Sequence, residues 1–278
     1  MSGLAGQRGC RGLRFASLGS GSRGNALVVE ALPDRGNEQP PTRVLLDCGF
    51  GPRELAARLA RRGLAPEDLD AILVTHEHSD HSAGVFKCAR RHDLEVILTR
   101  GTLAALPRDR AASGPPRLRL IDSHETFVIG NLTVQPFPVP HDAREPVQFV
   151  FSAGERRLGV LTDAGSITPH IVEMLGACEA LFLECNHDVE MLAAGSYPRM
   201  LKQRILGRFG HLDNRSAATL LSRLDRSCLR HVVAAHLSEQ NNTPQRARSA
   251  LEAVLESAPV RIGVASQEDG SEWCEIAG

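Results

Sequence analysis

Three histidines and an aspartate fall within six positions directly after an apolar run, and this cluster constrains the fold more than any other feature. The apolar run covers residues 71–74, and the cluster consists of His76, His78, Asp80 and His81. His76 and His78 are two positions apart, so on an extended chain both side chains point to the same side. Asp80 and His81 follow where we expect a helix to begin, and they can serve a second centre. Two adjacent metal ions fit this set better than one, and the alternative is a solvated polar turn.

Three further candidate ligands lie downstream, each where a β-rich apolar stretch ends in a loop. They are His141, Asp163 after residues 159–162, and His236 after residues 232–235. Loops that a rigid scaffold positions are the usual place for binding residues. Neutral imidazole suits zinc and other first-row ions, and a carboxylate can bridge two ions.

In this order the ligands resemble the HxHxDH, His, Asp and His elements of the metallo-β-lactamase superfamily. The resemblance implies two divalent metal ions, Zn²⁺ or Mn²⁺, held by two sets of three residues and bridged by Asp163. The first set is His76, His78 and His141. The second set is Asp80, His81 and His236.

The apolar patterns alternate between strand and helix along the whole chain. Strands are predicted at 13–18, 26–30, 43–47, 71–74, 95–98, 132–139, 147–152, 157–162, 180–184, 231–235, 260–264 and 273–276. Helices are predicted at 54–62, 82–91, 197–206 and 214–224 and from Thr243-Pro244 to Leu255, with a helix and then a loop over 101–116. Two β-rich halves flanked by helices predict an α/β fold, a four-layer αββα sandwich with the ligands at one rim. We expect one domain over residues 13–278 and a disordered leader over residues 1–12.

Composition sets broad limits on the class of protein. The chain has 278 residues, of which 42% are hydrophobic, and a net charge of −1, so any contact with nucleic acid must come from a local patch. Seven scattered cysteines without a CxxC pair indicate reduced thiols. No segment approaches a membrane span, and the N-terminus has no apolar signal region. We therefore expect a cytoplasmic protein without membrane contact, and its oligomeric state stays open.

A glycine-serine turn between the first two predicted strands is a candidate phosphate site. Its backbone amides can cradle an anion, with Ser20, Ser22, Arg23 and Asn25 as the candidate contacts. The alternative is a flexible hairpin loop. Asp47, at the next strand end, is expected to hydrogen-bond a metal-bound histidine.

The segment 199–215 is basic in a chain that is otherwise balanced. It carries five positive charges, and Asp213 is its one acidic residue. Lys202, Arg204 and Arg208 are the candidate phosphate contacts, since arginine in particular is a good bidentate phosphate ligand. The alternative is a solvated helix face.

Glu184 ends a predicted strand and His211 precedes a predicted helix. Together they resemble the nucleic-acid-processing branch of the superfamily, which includes tRNase Z. The resemblance implies that Glu184 orients His211, that His211 is the general acid, and that Asp80 is both ligand and proton acceptor. A histidine that titrates near neutrality is suited to protonating a departing alkoxide. Asn186 and His187 are further candidate substrate contacts.

The runs 187–214 and 236–242 closely resemble the YycJ/WalJ group of bacterial proteins with this fold. That group implies a DNA exonuclease of 5′→3′ polarity that acts on duplex ends with manganese or zinc. Asp213 and Gln240 stand where we expect serine and glutamate, and Asp213 places a negative charge near the phosphate path. The preference for DNA over RNA comes from the resemblance alone.

Three other functions remain open on the sequence. One is a small-molecule metallo-hydrolase of the thioesterase or lactonase type, which would cleave a thioester but not DNA. Another is an RNA-processing nuclease related to tRNase Z. The third is a non-catalytic DNA-binding component that keeps its metal ions for structure, although such sites are usually closed by protein ligands.

Overall fold

The computed structural model describes residues 10–33, 40–107, 117–255 and 259–277, and within them the chain forms two seven-stranded sheets. The strands are β1 Cys10–Gly19, β2 Ala26–Pro33, β3 Thr42–Leu46, β4 Ala71–Leu73, β5 Glu95–Thr99, β6 Arg117–Ile121, β7 Phe127–Ile129, β8 Leu132–Pro138, β9 Val147–Ala153, β10 Arg156–Leu161, β11 Ala180–Glu184, β12 His231–Ala235, β13 Arg261–Val264 and β14 Cys274–Ala277. The helices are α1 Pro52–Ala60, α2 Ser79–Ser82, α3 Val85–His92, α4 Arg100–Ala105, α5 Pro169–Leu175, α6 Val189–Ala194, α7 Arg199–Ile205, α8 Asn214–Arg223 and α9 Pro244–Leu255. A short 3₁₀ helix covers Pro66–Asp68.

The two sheets share one pairing pattern. The first has the order β14-β1-β2-β3-β4-β5-β6, and the second has the order β7-β8-β9-β10-β11-β12-β13. In each sheet the first four strands pair antiparallel and the last four pair parallel. The last strand of the chain therefore completes the first sheet, and the two halves of the fold are built alike.

Three apolar clusters separate four layers. Between the sheets lie residues of both, among them Phe15, Leu73 and Phe149. The outer face of the first sheet packs against α1 and α3, and the outer face of the second packs against α5, α8 and α9. Alternate residues of one strand face different clusters, as Leu181 and Phe182 of β11 do, because side chains alternate across a sheet. The αββα sandwich expected from the sequence is therefore confirmed.

Most predicted elements are found within a few residues of their expected bounds. Four elements of the structure were not predicted. Strands β6 and β7 and helices α5 and α6 were not expected from the sequence. Strand β6 is an edge strand in which Leu118 and Leu120 are exposed and only Ile121 is buried, so its apolar pattern is weak. Helix α5 carried a readable signal, since Thr168 caps its amino terminus and Pro169 is its first residue.

The helix expected at 82–91 is wrong as a single element. It is two helices, and α2 already begins inside the ligand motif at Ser79. Gly84 lies between them and packs directly on the backbone of Phe50, where an added Cβ would lie 1.7 Å from the carbonyl oxygen. This close approach brings α2 against the loop that follows β3.

The first strand begins within the leader that the sequence predicts over residues 1–12. Strand β1 begins at Cys10 and pairs there with Pro33, while Gly12 pairs with Leu32 and Ala277. Residues 1–9 of the expected leader lie outside the described residues, as do residues 34–39 between β2 and β3 and residues 108–116 of the segment 101–116. No helix in the described part of the chain is long and apolar enough to cross a membrane.

Candidate metal centre

The predicted ligands meet at one rim of the sandwich, where the carboxyl ends of five strands come together. The strands and the residues that follow or end them are β4 with His76 and His78, β8 with His141, β10 with Asp163, β11 with Glu184, and β12 with His236. Parallel strands run in the same direction, so their carboxyl ends lie at one edge of each sheet. The topology therefore brings together residues that are far apart in the chain. Helix α2 adds Asp80 and His81 to the same rim.

His76, His78 and His141 form one compact group of imidazoles. Their ring centroids are 4.6 to 5.0 Å apart, and His141 Nε2 lies 3.2 Å from His78 Nδ1. His76 Nδ1 donates to the hydroxyl of Thr75, and His141 Nδ1 donates to the carbonyl oxygen of Gly210. These bonds leave the Nε2 atoms of His76 and His141 with a free electron pair directed into the group.

Asp80, His81 and His236 form the second group. The Oδ2 atom of Asp80 lies 3.3 Å from His81 Nε2 and 3.5 Å from His236 Nε2. His81 Nδ1 donates to Asp47 Oδ2 at 2.7 Å, and Asp47 also accepts from the backbone and hydroxyl of Thr75. Asp47 therefore orients His81 directly and His76 through Thr75. The sequence predicted a bond from Asp47 to a ligand histidine without naming which one.

Asp163 lies between the two groups. Its carboxylate is 3.1 Å from His81 Nε2 in the second group and 3.8 Å from His141 Nε2 in the first. Nδ1 of His81 carries a proton that it donates to Asp47, so in the neutral ring Nε2 carries a lone pair. The Asp163 oxygen opposite it carries lone pairs as well. Two such atoms repel each other at 3.1 Å unless a proton or a metal ion lies between them.

The electrostatics of the centre favour a positive charge. Burial lowers the pKa of His76 and His141, which favours the neutral form of both rings. Burial also opposes the charges of His81 and His236, but Asp163 and neighbouring carboxylates outweigh it. The pKa of His81 is raised well above its usual value, and that of His236 is raised to about 10.

Three buried atoms at the rim have no hydrogen-bond partner among the described residues: His76 Nε2, Asp163 Oδ2 and His236 Nε2. An unpaired buried polar atom costs about 1–3 kcal/mol, so a group of them indicates a ligand. The first group offers three nitrogen atoms and the second offers two nitrogen atoms and one oxygen, and in each group these atoms lie within 4.8 Å of one another. The residues therefore fit a divalent metal ion with nitrogen and oxygen ligands.

Backbone strain at the rim supports the same interpretation. Asp47, Asp163 and His236 each follow a strand and each have a positive φ, of 61°, 52° and 55°. A left-handed backbone costs roughly 1–2 kcal/mol for a residue with a side chain, and such residues concentrate at functional sites. At Gly49 an added Cβ would lie 2.0 Å from the carbonyl oxygen of Asp80. Only glycine therefore lets the loop after β3 approach the segment that carries Asp80.

Glu184 and His211 are in contact beside the centre. Glu184 is fully buried, and its Oε1 accepts from His211 Nδ1 at 2.8 Å and lies 3.2 Å from His236 Nδ1. Its other oxygen accepts from the backbone nitrogens of Ala164 and Leu212. Burial opposes the charge of Glu184, but the positive charge of His211 lowers its pKa to about 2. Burial likewise opposes the charge of His211, and Glu184 raises its pKa.

A cavity of about 390 Å³ opens over the centre. Its lining includes Asp80, Asp163, His211 and His236 from the rim. Of the nine predicted substrate contacts, three line it: Ser22, Asn186 and Arg204. Arg204 also donates to Asp142 Oδ2 at 2.5 Å.

The remaining predicted contacts lie elsewhere. Ser20 is buried and accepts from the backbone nitrogen of His236, and Asn25 contacts Asp80 and His81, so both hold the rim in place. Arg23 forms ion pairs with Glu239 and Glu268. These carboxylates neutralise the positive charge that the sequence predicted would contact phosphate.

Three of the predicted contacts from the later part of the chain also lie outside the lining. His187 is buried. Lys202 donates to the carbonyl oxygens of Ala193 and Gly195, while Arg208 is exposed and covers the ring of Phe209.

Asp213, noted in the sequence as an unexpected negative charge, has a structural role. It caps α8, and its side chain accepts from the backbone nitrogens of Arg215 and Ser216 at 2.8 and 3.0 Å. Serine and aspartate are both favoured at this position of a helix, which explains the exchange.

Several residues at the cavity were not identified from the sequence. Asp142 lines it next to the predicted ligand His141, and Ser238 lines it two positions after His236. Proximity to those ligands was the available signal. Tyr197 and the carbonyl oxygen of Gly210 have no local signal, because only the tertiary fold brings them to the rim.

The family model described as the β-lactamase superfamily domain matches residues 42–237. Among curated proteins, the chain is 34% identical to the exodeoxyribonuclease YycJ of Bacillus anthracis, over 91% of this chain and 93% of the relative. It is 31% identical to the exodeoxyribonuclease WalJ of Streptococcus pneumoniae serotype 2, over 91% of this chain and 92% of the relative.

A solved structure supports the fold independently. The metallo-β-lactamase fold protein YhfI from Bacillus subtilis matches with a TM-score of 0.71 at 14% identity, covering 95% of this chain and 99% of that one. The pairing of the sheets, the rim of ligands and these matches agree. The chain belongs to the metallo-β-lactamase superfamily and, within it, to the group that contains YycJ and WalJ.

Proposed function

We propose that the protein is a metal-dependent exodeoxyribonuclease that uses two divalent ions, Zn²⁺ or Mn²⁺, and degrades DNA in the 5′→3′ direction. The observation that carries the proposal is the hydrogen bond between His211 and the buried Glu184, because it supports a proton donor next to residues that could hold metal ions. Relatives of 31–34% identity that are named exodeoxyribonucleases favour DNA as the substrate.

His76, His78 and His141 would hold one ion, Asp80, His81 and His236 the other, and Asp163 would bridge them. Bound divalent ions supply a nucleophile at neutral pH and offset charge on the phosphoryl oxygens. Asp80 accepts the proton that the nucleophile loses. It is suited to this task because it lies at the cavity, with one carboxylate oxygen near His81 and His236.

His211 gives a proton to the leaving oxygen. Its Nδ1 atom donates a hydrogen bond to Glu184, so Nε2 is the atom that can donate a proton. His211 lines the cavity, where a substrate group could accept that proton. The negative charge of Glu184 favours the protonated ring, which is the form that a general acid needs.

Phosphates of the DNA outside the cavity would meet Arg204 and Arg208. Arg204 is at the cavity and Arg208 is exposed, with its guanidinium 4.6 Å from the Phe209 ring centroid. Arg23 would have to leave Glu239 and Glu268 to take part. Six cysteines are free thiols, which supports a cytoplasmic location; they are Cys48, Cys88, Cys178, Cys185, Cys228 and Cys274.

End-labelled DNA and RNA test the proposal directly. Duplex DNA, single-stranded DNA and RNA, labelled at either end, are incubated with the protein and Mn²⁺ or Zn²⁺. We expect duplex DNA labelled at its 5′ end to release its label first as a mononucleotide, and RNA to persist. Cleavage of RNA alone would instead support processing of the tRNase Z type, and hydrolysis of a thioester without cleavage of DNA would support a small-molecule hydrolase.

Metal content tests the two ligand groups separately. We expect two ions per wild-type chain and about one in His76→Ala or His236→Ala, because each substitution removes a ligand from a different group. Elemental analysis after dialysis measures this. The control is His124→Ala, which removes an exposed histidine outside the candidate ligand groups and should not change the ion count. A wild-type protein that holds one ion or none after saturation would contradict the assignment.

Replacement of the proposed acid should affect turnover rather than binding. For His211→Ala we expect kcat on DNA to fall roughly 10²–10⁴-fold with KM and metal content nearly unchanged. The loss should shrink on a nitrophenyl phosphodiester, whose leaving group departs without a proton. Glu184→Gln should reproduce part of the loss, and the double variant should be less than additive. Equal losses on both substrates would show that His211 does not act as an acid.

Charge reversal at Arg208 should weaken DNA binding without a change in sequence preference. Each phosphate contact that is lost lowers the slope of log affinity against log salt by about one. Binding of a fluorescent duplex to Arg208→Glu at several salt concentrations measures that slope. Arg248→Glu in α9, which is outside the cavity lining, is the matched control. Identical slopes for both variants and the wild type would make Arg208 a solvated surface residue.

A further inference from the structure

Residues 197–210, here called the arm, stand over the cavity without being part of the core. Helix α7 forms the middle of the arm, and none of its residues is buried. Met200 is 82% exposed, Leu206 53% and Phe209 44%, so the arm keeps large apolar side chains in contact with solvent. Large exposed apolar residues beside a site are typical of a binding surface.

Polar contacts hold the arm in place against the metal centre. At its end, the Gly210 carbonyl accepts from His141 and the Phe209 carbonyl accepts from the backbone nitrogen of Asp142. In its middle, Arg204 donates to the side chain of Asp142. Lys202 Nζ donates to the backbone carbonyls of Ala193 in α6 and of Gly195 just after it, each at 2.7 Å. The arm is therefore fixed relative to the proposed metal ligands, which makes its cavity face a defined wall.

That wall is apolar. Tyr197, Leu201 and Ile205 line the cavity. Leu201 and Ile205 are four positions apart in α7 and so share one side of the helix, and Tyr197 lies just before its amino terminus. The rim residues Asp80, Asp163, His211 and His236 line the cavity as well. The cavity thus has a polar face, formed by these rim residues and suited to phosphate, and an apolar face that includes the one tyrosine of the chain.

We propose that Tyr197, Leu201 and Ile205 form a nucleobase subsite, in which one unpaired base of the substrate stacks on Tyr197 while its phosphate lies at the metal centre. The inference rests on the proposed function and names the part of the substrate that this wall recognises. A terminal base pair must then open before its nucleotide enters the site.

The size of the cavity and the charge of the arm both favour a nucleotide. A volume of about 390 Å³ is near the lower end for small-molecule pockets and has room for one nucleotide rather than a base pair. Residues 197–211 contain four lysines and arginines and no acidic residue, so the surroundings of the wall attract a polyanion. Stacking on an aromatic ring accepts any base, which suits an enzyme that degrades DNA of any sequence.

Calorimetric titration of the metal-loaded protein tests the subsite without relying on turnover. The probes are deoxythymidine 5′-monophosphate and 2-deoxyribose 5-phosphate, which differ by the base alone. We expect the wild type to bind the nucleotide more tightly than the sugar phosphate. Tyr197→Ala should weaken nucleotide binding roughly 5- to 150-fold and leave sugar phosphate binding unchanged, as expected for the loss of one base–aromatic stack.

Two variants control for a general disturbance of the arm. Tyr197→Phe keeps the ring and should bind like the wild type. Met200→Ala alters the same helix at a position outside the cavity lining and should also have no effect. Equal binding of both probes by the wild type, or equal weakening of both by Tyr197→Ala, would overturn the subsite. DNA cleavage without a preference for the nucleotide refutes the subsite alone, whereas the preference without cleavage refutes the proposed function alone.

Discussion

Electron-pair donors face one another at the rim of the sandwich, and the local structure there depends on a positive charge between them. The Nε2 atoms of His76 and His236 and an oxygen of Asp163 are buried without hydrogen bonds among the described residues. Such an arrangement is unfavourable by itself, yet it is held in place by bonds on the far side of the rings. Asp47 is central to these, because it accepts from both the backbone and hydroxyl of Thr75 and from His81. The cost of the arrangement is consistent with a preformed site for cations.

The two halves of the fold use equivalent positions in different ways. Strands β3 and β10 are both fourth in their sheets, and the residues that follow them, Asp47 and Asp163, both have a left-handed backbone. Asp47 faces back into the protein and orients histidines, whereas Asp163 lies between the two ligand groups. One strand-end geometry thus supplies both a supporting carboxylate and a candidate bridging one.

Glu184 connects the proposed metal chemistry with the proposed acid. It is fully buried, accepts two backbone hydrogen bonds, and contacts both His211 and His236. The backbone bonds fix the carboxylate, so that it positions a ligand and a proton donor at once. The arm adds a third connection, because His141 donates to the carbonyl of Gly210 at its end. The position of the arm therefore depends on the same residues that would hold the metal ions.

The candidate ligands and the layered fold were both predictable from the sequence, since both depend on short-range patterns. The motif from His76 to His81 is contiguous, and strands buried on both faces appear as apolar runs that end in polar residues. The sequence could not show that Arg23 is paired with Glu239 and Glu268, more than two hundred positions away. Nor could it show that Tyr197 lines the cavity, or that Asp213 caps a helix rather than facing phosphate. Only the tertiary structure decides such matters, because they depend on which distant side chains compete for a charge, a hydrogen bond or a surface.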